Sequence, residues 1–406
     1  MPSNLPSLSG WEMTDPARAL ASFLESLPRT PQLLGLGEPT HQIEDFPAWR
    51  NRIFHTLVED HGYRSIALES DILTGQMVNT YVTSGTGSLD ETMQRGFSHG
   101  FGKVNANREL VIWLRDFNAG RDGADRVRFY GFDAPLETLW AASPRYALIK
   151  LHSFLAEHLS GLPADRSTIL RLCGDDARWT NEAAGMDPTQ SVGASEEAKA
   201  LRWLTDELLT LLVTERPRLE GRRNAFWYAH LHARTAQGLL RYHAVMAELS
   251  PNRVARMLSL RDRLMADNLV AIAEREALRG PTMVFGHNSH LQRHNGRWTF
   301  GTMDLEWVPA GVHVSALLRE SYAFIATAAG EGAGLPAPSP ETLEGWFTRR
   351  SSAPMLYATS ALGSVLPPAL VKRTDTAGKS GYVPMALDPK RLQHTDGILF
   401  LPALAL

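Results

Sequence analysis

The chain has 406 residues, with 41 basic against 44 acidic side chains, one cysteine and 14 histidines. This balance leaves no global basic field for nucleic acid, and the single Cys173 excludes a disulfide framework, a multi-cysteine zinc site and an iron–sulfur cluster. No apolar run reaches the roughly 18 residues of a membrane span, and Met1 to Met13 lacks the basic and apolar regions of a secretory signal, so a cytoplasmic protein is expected.

The first predicted helix starts at Thr14-Asp15-Pro16, a cap followed by a first-turn proline. Leu20, Phe23, Leu24 and Leu27 then mark one helical face, and Pro28 to Pro31 end it. Gln32–Gly37 is a short apolar run that reads as a buried strand, followed by a helix over Asp45–His61. Ser65–Leu68 reads as a second strand, 105–119 as a helix, Val127–Phe132 as a third strand. A long helix over Asn252–Leu278 precedes a fourth strand, Thr282–Phe285. Further strands are predicted near Val312–Leu317, Tyr322–Thr327 and Gly397–Leu401. Strands alternating with helices predict an α/β fold with a mainly parallel sheet flanked by helices. Residues 144–249 carry helical leucine spacing and no strand signal. They are expected to form a helical insertion, a possible lid over the carboxyl edge of the sheet, in a catalytic core of 1–143 and 250–406.

Four of these strands run into titratable side chains: Glu38, then His41 after a short turn; Glu69; Asp133; and His287, with Asn288 and His290 close behind. Ligands of parallel sheets bind at the carboxyl ends of strands. Arg50 adds a clue. On a helical wheel its side chain falls about 40° from Phe46, inside the apolar arc of Trp49, Ile53, Phe54 and Leu57. A core-facing arginine keeps its charge and calls for an anionic partner, for which Glu38 and Glu69 are the candidates. His99, in a glycine-flanked loop, and His230, in the insertion, are candidate pocket-lining residues.

A histidine oriented by a carboxylate can act as general base on water. The same histidines with a glutamate could instead hold a metal that acidifies the water. Gly96-Phe97-Ser98-His99-Gly100 has the letters of a serine-nucleophile elbow, but Leu89–Arg95 ahead of it is polar and does not read as the strand an elbow requires.

The chain resembles the erythromycin esterase family. The resemblance rests on LGEPTH at 36–41, the arginine-bearing helix Phe46–Phe54, IALESD at 66–71, WLRDFN at 113–118, YGFDA at 130–134, RDRLMADN at 261–268, FGHNSHLQR at 285–293, GYVP at 381–384 and TDGILF at 395–400. It implies hydrolysis of a macrolactone or related natural-product ester by activated water, with no cofactor and no metal required. His41 is the implied base and Glu38 its motif glutamate, with Arg50, Glu69 and His287 as further catalytic residues. His287 or Arg50 would stabilise the oxyanion, with His290, Asn288, Asp133, His99 and His230 placed toward substrate. Pro39 departs from the small residue expected in the G-E-x-x-H turn. Two other readings use the same cleft: a metal-dependent hydrolase, and a biosynthetic tailoring enzyme (cyclisation or elimination) or binding protein of a natural-product pathway. The expected partner is a small ester or lactone, with no nucleic acid and no membrane; the sequence carries no signal for oligomeric state.

Overall fold

The computed structural model describes residues 10–363, 365–374 and 385–405; the GYVP segment at 381–384 lies outside them. Among the described residues, eight strands form the central sheet: β1 (Trp11–Glu12), β2 (Leu33–Glu38), β3 (Ser65–Asp71), β4 (Arg128–Asp133), β5 (Thr282–His287), β6 (Tyr322–Glu331), β7 (Met355–Ala358) and β8 (Gly397–Ala403). Their order is β1-β7-β8-β6-β2-β5-β3-β4. The strands from β8 to β4 run parallel, whereas β7 pairs antiparallel with β1 and β8.

The α-helices in chain order are α1 (Pro16–Ser26), α2 (Asp45–Asp60), α3 (Gly75–Ser84), α4 (Leu89–Arg95), α5 (Asn105–Asn118), α6 (Arg145–His158), α7 (Arg166–Cys173), α8 (Glu196–Thr214), α9 (Arg223–Met246), α10 (Arg253–Glu276), α11 (Asn288–Leu291), α12 (Ala310–Leu318), α13 (Leu343–Thr348) and α14 (Thr359–Leu362). The expected cap of α1 is present, with Asp15 Oδ1 accepting the Arg18 N–H at 3.1 Å.

The inner strands are buried along nearly their whole length because both faces of the sheet are covered, and successive residues feed opposite layers. Leu34, Ile66, Met283 and Phe285 pack with Phe23, Phe54, Leu57 and Leu114 of α1, α2 and α5. Their neighbours Leu33, Ala67 and Val284 face the other way, onto Met265, Leu269 and Ile272 of α10 and Val314 of α12. Residues between β4 and β5 supply no strand to the central sheet. There α6, α7, α8 and α9 bury their own leucine cluster, Leu148, Leu151, Leu201, Leu208 and Leu240 among it.

Val312–Leu317 is a helix, not a strand. A short apolar run fits either period; here Pro309 starts a helix whose buried Val314 packs in the layer formed with α10. The β7 strand and the hairpin Gly296–Phe300/Met303–Trp307 were not expected from the sequence.

Candidate active site

The sheet order sets β2, β5, β3 and β4 side by side, so their carboxyl ends bring Glu38, His287, Glu69 and Asp133 to one edge. Glu38 and His287 are direct partners across the β2–β5 ladder. On β3, three steps from Leu68 to Asp71 oppose two on β4, from Gly131 to Asp133. Such a bulge re-aims side chains. Glu69, inside it, turns its Oε2 onto the backbone N–H of His287 at 2.6 Å. Gly286 makes this approach possible, because a Cβ there would stand 2.9 Å from Glu69 Oε2.

His41 lies three residues beyond Glu38, in a turn closed by Gln42 at φ +66°. The ring Nδ1 donates to Glu38 Oε1 at 2.7 Å, and Nε2 stands 3.7 Å from Glu69 Oε1. Burial disfavours the imidazolium, but Glu69 and Glu38 outweigh it and push His41 up to about 10. Burial also raises the Glu38 carboxyl above its ordinary value, against the opposing bond from His41.

Glu69 Oε1 is shared. His290 Nε2 lies 3.3 Å from it and Arg261 3.7 Å. Burial opposes the Glu69 charge, yet His290, His41 and Arg261 together hold the carboxyl well below the usual range. His290 is itself held by Asp262, whose Oδ1 accepts from Nδ1 at 2.9 Å. Asp133 forms a close pair with Arg261 at 2.6 Å and accepts from His99 Nε2 at 3.1 Å; His99 Nδ1 reaches Glu137 at 2.6 Å. Burial counts against the His99 cation, but the bonds to Asp133 and Glu137 raise it to about 9. Like Gln42, His99 adopts a left-handed backbone (φ +56°), which is strained for a non-glycine residue. Arg261, Asp262 and Glu137 were missed as site residues. The signal available was the adjacent charged pair Arg261-Asp262 within an amphipathic helix, which both turn out to bury.

Several expectations change. His287 places both ring nitrogens in hydrogen bonds within the protein. Its Nε2–H donates to the Pro39 carbonyl at 2.9 Å, while Nδ1 accepts from the Ser289 hydroxyl at 2.6 Å. Burial, reinforced by the nearby His41 charge, lowers this ring to about 3, so it stays neutral and fixes the Glu38–His41 turn. Asn288 bonds both the carbonyl and the N–H of Thr327, at 2.9 and 3.3 Å, and bridges β5 to β6. Asp133 is fully buried and acts on His99 and Arg261. His230 remains on α9 with Phe226 and Arg234 and takes no part in this network.

Arg50 is buried as expected (1% exposed) but its partners are neutral: Asn51 Oδ1 at 2.7 Å, Asn107 Oδ1 at 2.8 Å and the Ala106 carbonyl at 3.3 Å. Amide oxygens tie the guanidinium to the start of α5 where a carboxylate was expected. Burial lowers its affinity for the proton, against the opposing charges of Glu38, Glu44 and Glu109, so Glu38 acts on it at longer range. Ser98 follows helix α4, not a strand, and its Oγ accepts the Asp71 N–H at 2.9 Å, so it anchors its loop to β3.

A cavity of about 350 Å³ opens at this edge, with Glu38, Gln42, Arg50, Glu69, His99 and Phe101 in its wall. None of its lining residues comes from 144–249. Tyr242 of α9 bonds the carbonyls of Glu137 and Thr138, next to the His99 contact. Among the described residues, no group of three or more His, Cys, Asp or Glu is arranged to hold a metal ion, and no helix is long and apolar enough to cross a membrane.

A family model described as Erythromycin esterase matches residues 58–403, a span that takes in Glu69, Arg261, Asp262 and the 287–290 segment and begins after Arg50. The chain is 24% identical over 276 residues to erythromycin esterase type II of Escherichia coli, covering 64% of this chain and 61% of that protein, so it spans less than two thirds of that relative's length. A Bacillus cereus protein of known structure superposes with a TM-score of 0.69 at 17% identity, over 97% of this chain and 98% of its own. A histidine-to-asparagine mutant of the erythromycin esterase EreC, in its open conformation, gives 0.69 at 18% identity, over 95% of this chain and 93% of its own. At these identities the structural likeness is one of fold.

Proposed function

Because this chain belongs to the erythromycin esterase family, we propose that it hydrolyses a carboxylic ester, with a macrolactone or related natural-product ester as the substrate class. The observation that carries the reading is His41, held between Glu38 at 2.7 Å and Glu69 at 3.7 Å, both of which line the cavity. Glu38 bonds Nδ1 and fixes the tautomer; once His41 gives up the proton that Glu69 and Glu38 hold on it, its Nε2 takes a proton from water, so hydrolysis rises with pH through the His41 titration. The resulting hydroxide attacks the ester carbonyl, and Glu69 stabilises the imidazolium. Arg50 in the cavity wall faces the developing oxyanion. Collapse releases the alcohol, which takes the proton from His41, and leaves the acid.

The bond from His287 Nε2–H to the Pro39 carbonyl favours Arg50 over His287 for the oxyanion role. The test is mass spectrometry of ester and lactone panels incubated with the protein. A product heavier by one water is the expected result. Loss of water, or cyclisation at constant mass, contradicts hydrolysis.

A further inference from the structure

Glu69 Oε1 stands between two imidazole nitrogens, His41 Nε2 at 3.7 Å and His290 Nε2 at 3.3 Å. Each ring presents its other nitrogen to a separate carboxylate, Glu38 at 2.7 Å and Asp262 at 2.9 Å. The five groups form one alternating row: Glu38, His41, Glu69, His290, Asp262. The outer half is built with care. Asp262 sits on α10, is fully buried, and its Oδ1 also accepts the Ala310 N–H at 2.8 Å, while Oδ2 has no hydrogen-bond partner. A buried carboxylate with one unmatched oxygen is costly. Its best-matched neighbour is a charged His290, and a charged His290 is what competes with His41 for Glu69.

We propose that Asp262 is a positioning residue that keeps His290 charged against Glu69 and thereby sets the basicity of His41. The inference rests on the ester-hydrolase reading for its kinetic test only. Charged groups lie close to each ring. His290 meets Asp262 and Glu69, with Arg261 on the same carboxylate. His41 meets Glu38 and Glu69, with the neutral His287 ring 5.2 Å away. The directions agree: burial opposes both cations, while Asp262 and Glu69 raise His290, and Glu69 and Glu38 raise His41.

Without Asp262, His290 loses its proton more readily and stops sharing Glu69. The Glu69 charge then acts on His41 alone, and the His41 proton is held more tightly. Asp262→Asn keeps the shape and the acceptor for His290 and Ala310 while removing the charge. Its kcat/KM profile is expected to have an acidic limb displaced upward by about half a pH unit or more, with activity recovering at high pH; Asp262→Glu restores the parental limb. A uniform loss at every pH, or a limb that stays or falls, overturns the proposal.

The same displacement is read without substrate from the ring titration of His41 in isotope-labelled protein, with His41→Asn assigning the signal. His290→Gln removes the competing charge directly and is read in parallel. It must move His41 in the same direction even if the position 262 variant does not fold. If the parent cleaves no ester, the hydrolase reading fails while the ring titration still decides the role of Asp262.

Discussion

The Glu69 carboxylate accepts the backbone N–H of His287 at 2.6 Å, so a side chain on one strand takes the place of a ladder bond to the next. The bond depends on the β3 bulge and on the missing Cβ of Gly286. It also fixes which oxygen of Glu69 remains for His41 and His290.

Gly286→Ala tests this arrangement. The added methyl would meet Glu69 Oε2 at 2.9 Å and the Phe132 ring at 2.8 Å. Overpacking of this kind costs about 1–3 kcal/mol, and a displaced Glu69 lowers kcat/KM by about tenfold or more. Thermal unfolding and ester turnover measure the two effects separately; full activity contradicts the assigned role of Glu69.

Glu69→Gln moves the pH–rate profile in a defined direction. Glu69 is the largest influence raising His41. Its loss lowers the affinity of His41 for a proton, so the acidic limb of kcat/KM shifts downward in pH, whatever happens to the maximum rate. An unshifted limb means that another group titrates there.

Stability follows the same group. The folded protein holds the His41 proton up to about 10, against an ordinary value of 6.5. The associated stabilisation is fully present below 6.5 and is lost as pH rises through about 10. Urea unfolding of the parent and His41→Asn across that window should show a stability gap that narrows with rising pH. A constant gap contradicts the raised value.

Ser98→Ala separates anchoring from nucleophilic catalysis. The variant loses the bond to the Asp71 N–H, at a cost of about 1–3 kcal/mol. Its ester turnover stays within about twofold of the parent on the general-base mechanism. Loss of a covalent acyl intermediate, trapped in the parent and absent in the variant, is the contrary result.

Much of the site was legible because its parts are strand ends. Glu38, Glu69, Asp133 and His287 follow short buried runs, and the LGEPTH and FGHNSH segments place His41 three residues after Glu38 and His290 three after His287. Adjacency was not legible, since β5 enters between β2 and β3 only through the sheet order. The roles of His287 and Asn288 depend on side-chain bonds to Pro39 and Thr327, carbonyls that sequence cannot align. Arg50 shows both sides of this limit. Its burial follows from helical spacing, but two of its neutral partners, Asn107 and the Ala106 carbonyl, lie at the start of α5 and are brought near only by folding, while the third, Asn51, is its neighbour in the chain.

The most direct measurement of the central claim is kcat/KM for His41→Asn against the parent on an ester that the parent cleaves. Asparagine keeps a polar side chain beside Glu38 but cannot take the proton from water. The general-base account predicts a loss of about a hundredfold to ten-thousandfold, with folding intact by circular dichroism. Turnover close to that of the parent would contradict it.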